Sequence, residues 1–258
     1  MRRRFVVFAL ALAAFCPALL LVDTPGLIPQ LALGVATLLF LVFFARRCAF
    51  SRREKVAEGR MRGVDPRQII VAIAIATTGE ILLSVVWGLY AYRNALIPLY
   101  VPFGHGILYA LAAESAEQPL FGRYRDAITR GVLAGGTLVA IASLILLDDQ
   151  WGMLWWIGAA LLMIRARNPL MLSVCFVYAS ALESLGTAIG NWRWMPIVPH
   201  LGLRCANPPS GVGILYVLLD VTTVMLTAAF AARPSTSPTL TPELSCSPPM
   251  RPAPRPPA

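Results

Sequence analysis

Charge is scarce in this chain. Asp, Glu, Lys and Arg make up 14% of its 258 residues, about half of what a soluble domain carries to keep its surface wet. A soluble fold is excluded for most of its length. Lysine is nearly missing, Lys55 being the only one, so the glycine loop with a following lysine that cradles nucleotide phosphates is not formed. There are two histidines, His105 and His200, and no His-Glu-x-x-His pattern, which excludes a three-histidine metal site. No metal or other cofactor is expected. The five cysteines (Cys16, Cys48, Cys175, Cys205 and Cys246) lack metal-ligand spacing and lie too far apart for a disulfide framework. No serine stands in a nucleophile elbow. No repeat of twenty to fifty residues stands out, and no two halves of the chain visibly mirror one another.

What is abundant is apolar sequence: 57% of the residues are hydrophobic and the mean hydropathy is +0.68. Eight apolar segments can be marked: Phe5–Val22, Leu27–Ala45, Gln68–Tyr92, Leu99–Ala116, Gly131–Leu147, Trp151–Ile164, Leu170–Ile189 and Gly211–Phe230. A helix needs about 20 residues to cross the hydrocarbon of a bilayer, and most of these suffice. Asp148, Asp149 and Gln150 separate the fifth from the sixth and read as a tight, wet turn.

The basic residues test this map. If the N-terminus is cytoplasmic, nineteen of the 22 Lys and Arg fall on the cytoplasmic side, and only Arg93, Arg193 and Arg204 fall outside. That is the bias of the positive-inside effect. The sequence therefore predicts an all-α polytopic membrane protein of about eight transmembrane helices with both termini cytoplasmic. It forms a single membrane domain over residues 1–230, followed by a disordered tail, 231–258, with nine prolines. Met1–Arg4 and the following run also resemble a secretory signal, but Phe15-Cys16 fits a cleavage site poorly, and a retained anchor is the expectation. The basic loop Arg46–Arg67 has no aromatic stacking residue beyond Phe50. It reads as a headgroup-facing loop and not as a nucleic-acid site.

Acidic residues inside such spans cost about 2.5–3.5 kcal/mol each at the bilayer centre, so they must pair, stay protonated or face a protein interior. Glu80, Glu183 and Asp220 are the candidates for catalysis. Glu80 has Ser84 and Trp87 on its helical face. Tyr216 stands one turn before Asp220, with Thr223 and Thr227 beyond it. Glu183 lies among Ser180, Gly186, Thr187 and Gly190, a small-residue stripe that predicts close helix approach. Glu114, near a helix end, is expected to reach the headgroups. His105, between two glycines, with Tyr109 one turn on, is a candidate for moving protons.

The segment from Asn191 to Ser210 holds Asn191, Trp192, Arg193, Trp194, His200 and Asn207, followed by Pro-Pro-Ser-Gly. In an extended piece Trp192 and Trp194 share one side and Arg193 takes the other. An aromatic belt at the headgroups and a substrate-reading lid are both open readings. Depth along the helices suggests one cavity opening outward, lined by the third, fourth, seventh and eighth segments, with Tyr109, Tyr216 and the 191–207 residues as substrate contacts.

Glu183-x-x-Gly186 with Thr187, Gly190 and the Trp192/Trp194 alternation resembles a motif of the carotenoid hydratase-type integral membrane proteins of carotenoid biosynthesis. The likeness covers about 20 residues, with tryptophans where that family has tyrosines. The resemblance implies a multi-pass protein of a bacterial-type plasma membrane, an isoprenoid or carotenoid lipid as substrate, and hydration of a double bond with Glu183 in the reaction. The residues alone leave two other readings open: a proton- or cation-coupled transporter using Glu80 and Asp220, and a structural subunit whose acids pair with a partner.

Overall fold

Proline fits the first turn of a helix because its missing donor would be unpaired there anyway, and it stands at the first or second position of four of the described helices. The computed structural model describes residues 14, 15, 17–57 and 65–231. The tail beyond residue 231, residues 58–64 of the basic loop and the start of the first expected crossing lie outside the described residues.

The described chain is mostly helical. A helical segment ends at residue 22. It is followed by α1 (Leu27–Ala57), α2 (Pro66–Glu80), a π-helical continuation (Ile81–Val86), β1 (Tyr90–Tyr92), α3 (Val101–Ala116), the short α4 (Pro119–Arg123) and α5 (Arg125–Leu147). Then come α6 (Gln150–Arg165), α7 (Pro169–Ile189), β2 (Trp192–Trp194) and α8 (Ile214–Ala231). Among the described residues, four stretches are long and apolar enough to cross a membrane: Leu27–Arg47, Pro66–Val86, Arg125–Leu147 and Pro169–Ile189. Their outer faces are apolar, and α5 buries only Ala140. In water such surfaces would drive aggregation; in lipid they are at home.

Four expectations need correction. The segment Gln68–Tyr92 is not one helix. It leaves the helical path after Val86, turns at Gly88 with φ of 72°, and ends as strand, because Tyr-Ala-Tyr pairs with Trp-Arg-Trp across the chain. The turn at Asp148–Asp149 is tight, Asp148 being left-handed with φ of 54°, and Asp148 and Gln150 reach the surface, but Asp149 does not. Asp149 is fully buried, and its carboxylate accepts backbone N–H bonds from Gly152 (3.1 Å), Ala206 (2.9 Å) and Ser210 (2.7 Å). Glu114 is buried near the end of α3.

The largest correction concerns symmetry: the helix–strand–helix unit occurs twice. Pro66–Val86 and Pro169–Ile189 are each 21 residues long, and each carries its glutamate, Glu80 or Glu183, at the same distance from its opening proline. Each is followed by an aromatic-x-aromatic strand, and each strand by a Gly-x-Gly-Ile-Leu-Tyr run, at Gly104–Tyr109 within α3 and at Gly211–Tyr216 leading into α8. The strands pair antiparallel, with Tyr90 opposite Trp194 and Tyr92 opposite Trp192. Arg93 N–H donates to Asn191 (2.8 Å), and Met195 N–H, its counterpart, donates to Leu89 (3.0 Å). A ladder in which each residue meets the other's counterpart has local two-fold symmetry. One mismatch remains, and it has a physical outlet. Ten positions separate Glu80 from Tyr90, against nine from Glu183 to Trp192. The wider turns of the π-helix take up that extra residue.

The symmetry reaches the turns. Asp23, between the N-terminal segment and α1, accepts at its carboxylate from Tyr100 Oη (2.9 Å) and from Gln30 of α1; its carbonyl accepts from Arg93 in the loop after β1, whose guanidinium also pairs with the carboxylate at 3.7 Å. Asp149, between α5 and α6, holds the loop after β2 from the corresponding turn, through backbone N–H groups where Asp23 uses side chains. In the core, α2 and α7 each pack against both α3 and α8.

Candidate functional site

The two glutamates meet under the strands. Glu80, buried at the end of α2, accepts at Oε2 from the hydroxyls of Tyr90 and Tyr92, both at 2.7 Å. Its Oε1 lies 3.0 Å from His105 Nε2 on α3. Glu183 on α7 accepts at Oε2 from the indole N–H groups of Trp192 (2.7 Å) and Trp194 (3.2 Å). Each acid is thus held by the aromatic pair of its own repeat. The alternation of a strand points both members of each pair to one side; Arg93, Arg193 and Ala91 lie on the other or beyond. Burial raises the phenol pKa of Tyr90 and Tyr92 above the usual tyrosine range, and the facing Glu80 raises it further. They therefore remain O–H donors.

Gly186 serves the site directly. A side chain there would collide with the Trp192 indole, so the glycine lets that ring lie flat enough on α7 to reach Glu183. The small residues expected to admit a neighbouring helix admit this indole instead. Trp194 is placed by Asn207, whose Oδ1 accepts its backbone N–H at 2.9 Å.

Both acids line a cleft of about 610 Å³, counting the space open at its mouth. Its walls come from α2, α3, α7 and α8, with Tyr90, Tyr92, Tyr100 and Trp192 as the aromatic side and Leu19 and Leu20 from the N-terminal segment. His105 and Tyr216 also face it, their rings 5.4 Å apart.

Not every candidate residue reaches this space. Asp220 is buried behind it, bonded to Tyr109, and neither lines the cleft. Asn191 is fully buried, and its side-chain amide donates to the Leu20 carbonyl at 2.8 Å. Arg193 and His200 are exposed, His200 in a turn with φ of 65°. Most of the Asn191–Ser210 segment is a tied structure, with Ile197 bridged to Arg204. The residues that sequence reading missed are Tyr90, Tyr92, Tyr100, Asp23 and the leucines at 19 and 20. The Tyr-x-Tyr spacing was the available signal for the first two. Among the described residues no three His, Cys, Asp or Glu side chains group as metal ligands would.

Asp23 latches the N-terminal segment over the cleft. Asp23→Ala would leave the buried Tyr100 hydroxyl without its acceptor and Arg93 without its ion pair. Amide exchange over residues 17–22 should then rise about tenfold or more, for a loss of about 1–3 kcal/mol. Unchanged exchange would mean that the apolar contacts of Leu19 and Leu20 hold the segment alone.

Compared with known proteins, the chain matches no family model, no curated protein and no solved structure.

Proposed function

We propose that this protein is a membrane-embedded enzyme that adds water across a double bond of an isoprenoid or carotenoid lipid. It would cross a bacterial-type plasma membrane eight times, with both termini in the cytoplasm. The observation that carries the reading is that two carboxyl groups, from equivalent helices, face one aromatic-walled cleft. Much of the cleft's space is open at its mouth, so a long polyene would insert only its reacting end.

The chemistry follows from the different settings of the two acids. Both indole donors of Glu183 fall on Oε2, which leaves Oε1 to carry a proton. Glu183 gives that proton to one alkene carbon; its O–H bond breaks as the new C–H bond forms. The cation left at the neighbouring carbon lies among the faces of Tyr90, Tyr92, Tyr100 and Trp192, where ring quadrupoles stabilise positive charge. Water adds its oxygen there, and the Glu80–His105 pair takes the proton that water releases. Return of that proton to Glu183 through water in the cleft closes the cycle. Alkene and water have become an alcohol with no net change in protons.

Lipid extracts from cells with and without the gene test this. A carotenoid or polyprenol one water heavier, seen only with the gene, is the expected result. An unchanged lipid profile with altered uptake of a solute would favour a second reading, proton-coupled transport. That reading draws on the position of the cleft between two copies of a repeated unit, where transporter sites commonly form.

A further inference from the structure

Each half carries the Gly-x-Gly-Ile-Leu-Tyr run with two glycines, and the second of them is packed alike in both. A side chain at Gly106 would strike Ile73 of α2, and one at Gly213 would strike Phe176 of α7. Ile73 and Phe176 stand at the same distance from their opening prolines. The first glycine is not packed alike. A side chain at Gly211 would run into the backbone of α6 at Gly152, Trp155 and Trp156. At its counterpart, Gly104 in α3, a side chain would meet no atom of the described residues within 4 Å. Where α6 closes the second half, the first half stays open, and Gly104 lines the cleft.

The mouth of the cleft lies between α3 and α7. Most of the lining residues are buried, Tyr92 and Trp192 among them. Those that are not are Gly104 and His105 of α3 and Leu182 and Glu183 of α7. Because α7 is long and apolar enough to cross a membrane, an opening on its flank faces lipid. The outward face of α7 beside it is formed by Val177, Ala181 and Ser184, exposed about one turn apart. The Ser184 hydroxyl turns back to donate to the Ser180 carbonyl at 2.8 Å, so it offers little to water. Such a rim passes a molecule dissolved in the bilayer and resists a hydrated ion.

We infer that the ligand of the cleft arrives from within the bilayer, as an apolar molecule passing sideways between α3 and α7, and that Gly104 keeps this portal open. The inference rests on the reading that a membrane lipid reacts in the cleft; it adds the route of entry and the position that limits it. Glycine weakens a helix, so a helix keeps it where a side chain would be in the way. Gly106 makes room for a neighbouring helix. Gly104, with no such neighbour, makes room for the guest. It sets access and takes no part in proton transfer.

An uncharged aryl diazirine, dissolved in the lipid of nanodiscs that hold the full-length chain, tests the route without any substrate. On illumination its carbene inserts into the side chains it touches, and peptide mass spectrometry reads the sites. In the native chain Tyr92 and Trp192, buried in the cleft wall, should be labelled along with Leu138 and Ile145 on the exposed face of α5. In Gly104→Leu the labels on Tyr92 and Trp192 should be lost and those on α5 kept. Leucine suits a helix better than glycine, so the unfolding midpoint should be no lower than the native one. Should that variant fold poorly, Leu182→Trp narrows the same portal from α7 and should give the same loss. Tyr92 and Trp192 unlabelled in the native chain, or labelled equally in a folded variant, would overturn the portal. Absence of any hydrated lipid from the gene-dependent extracts would remove the hydratase reading, while a Gly104-dependent label would still uphold the portal. Hydrated lipid with labels indifferent to Gly104→Leu would do the reverse.

Discussion

Replacing Glu183 with glutamine is expected to abolish turnover while the protein still inserts and folds. The amide has nearly the shape of the acid, and its oxygen can accept from Trp192 and Trp194 as Glu183 Oε2 does now. What it cannot do is release a proton to carbon. A positioned general acid contributes about 10²–10⁴-fold, and an alkene gives the enzyme no other polar handle, so the loss should reach at least the upper part of that range. The measurement is conversion of a polyprenyl or carotenoid lipid by purified protein in nanodiscs, with thermal unfolding as the control for structure. Wild-type turnover in Glu183→Gln would remove this residue from the reaction. A large fall in the unfolding midpoint would assign it to holding the indoles. Glu80→Gln should also be impaired, but the variant would retain the acid of Glu183, so the two losses need not match.

The largest effect on stability is expected at Asp149. Its two oxygens take three backbone N–H groups, from the first turn of α6 and from two points of the loop that follows β2. Asp149→Ala leaves all three donors in a site with no water access. At about 1–3 kcal/mol for each orphaned group, the variant should lose roughly 3 kcal/mol or more, or about 10 °C in unfolding midpoint for a chain of this size. Tryptophan fluorescence on heating would report it, since Trp151 and Trp155 pack beside this turn and Trp155 lies against Trp194. Asp149→Asn restores size but faces an N–H donor with another N–H, so it should rescue only part of the loss. A midpoint within a degree or two of the native chain would show that the loop is held by packing. Gly152 and Gly211 belong to the same arrangement, for a side chain at either would strike this turn or the backbone of α6.

Most of the helices coincide with apolar runs in the sequence, as a helix with an apolar outer face requires. The extended Trp-Arg-Trp piece was likewise legible, and β2 has Trp192 and Trp194 buried with Arg193 exposed. What failed was anything that needed a partner distant in sequence. Tyr90–Tyr92 looks like the end of a helix until Trp192–Trp194 is seen beside it. Asp149 looks like a solvent-facing turn residue until the loop from Ala206 to Ser210 folds over it. The repeat is faint in the sequence because few positions retain it: the opening prolines, the glutamates, the turn aspartates, the aromatic alternation and five positions of one six-residue run survive. Tyrosines have become tryptophans, and the loop between strand and helix has grown by several residues. Glu80 and Glu183 could be nominated from their cost in lipid. Their meeting could not be foreseen, nor the separation of Asp220 from them by Tyr109 and Tyr216.

The strand ladder carries a consequence for descent. Because Tyr90 meets Trp194 just as Tyr92 meets Trp192, a single half-length ancestor could have joined its twin through that same edge, bringing two identical acids together over one guest molecule. Fusing the two genes would have changed nothing at the seam. It would have freed each copy to drift, and the halves now differ beside their acids, His105 in the first having Val212 as its counterpart and Asp220 in the second having Ala113.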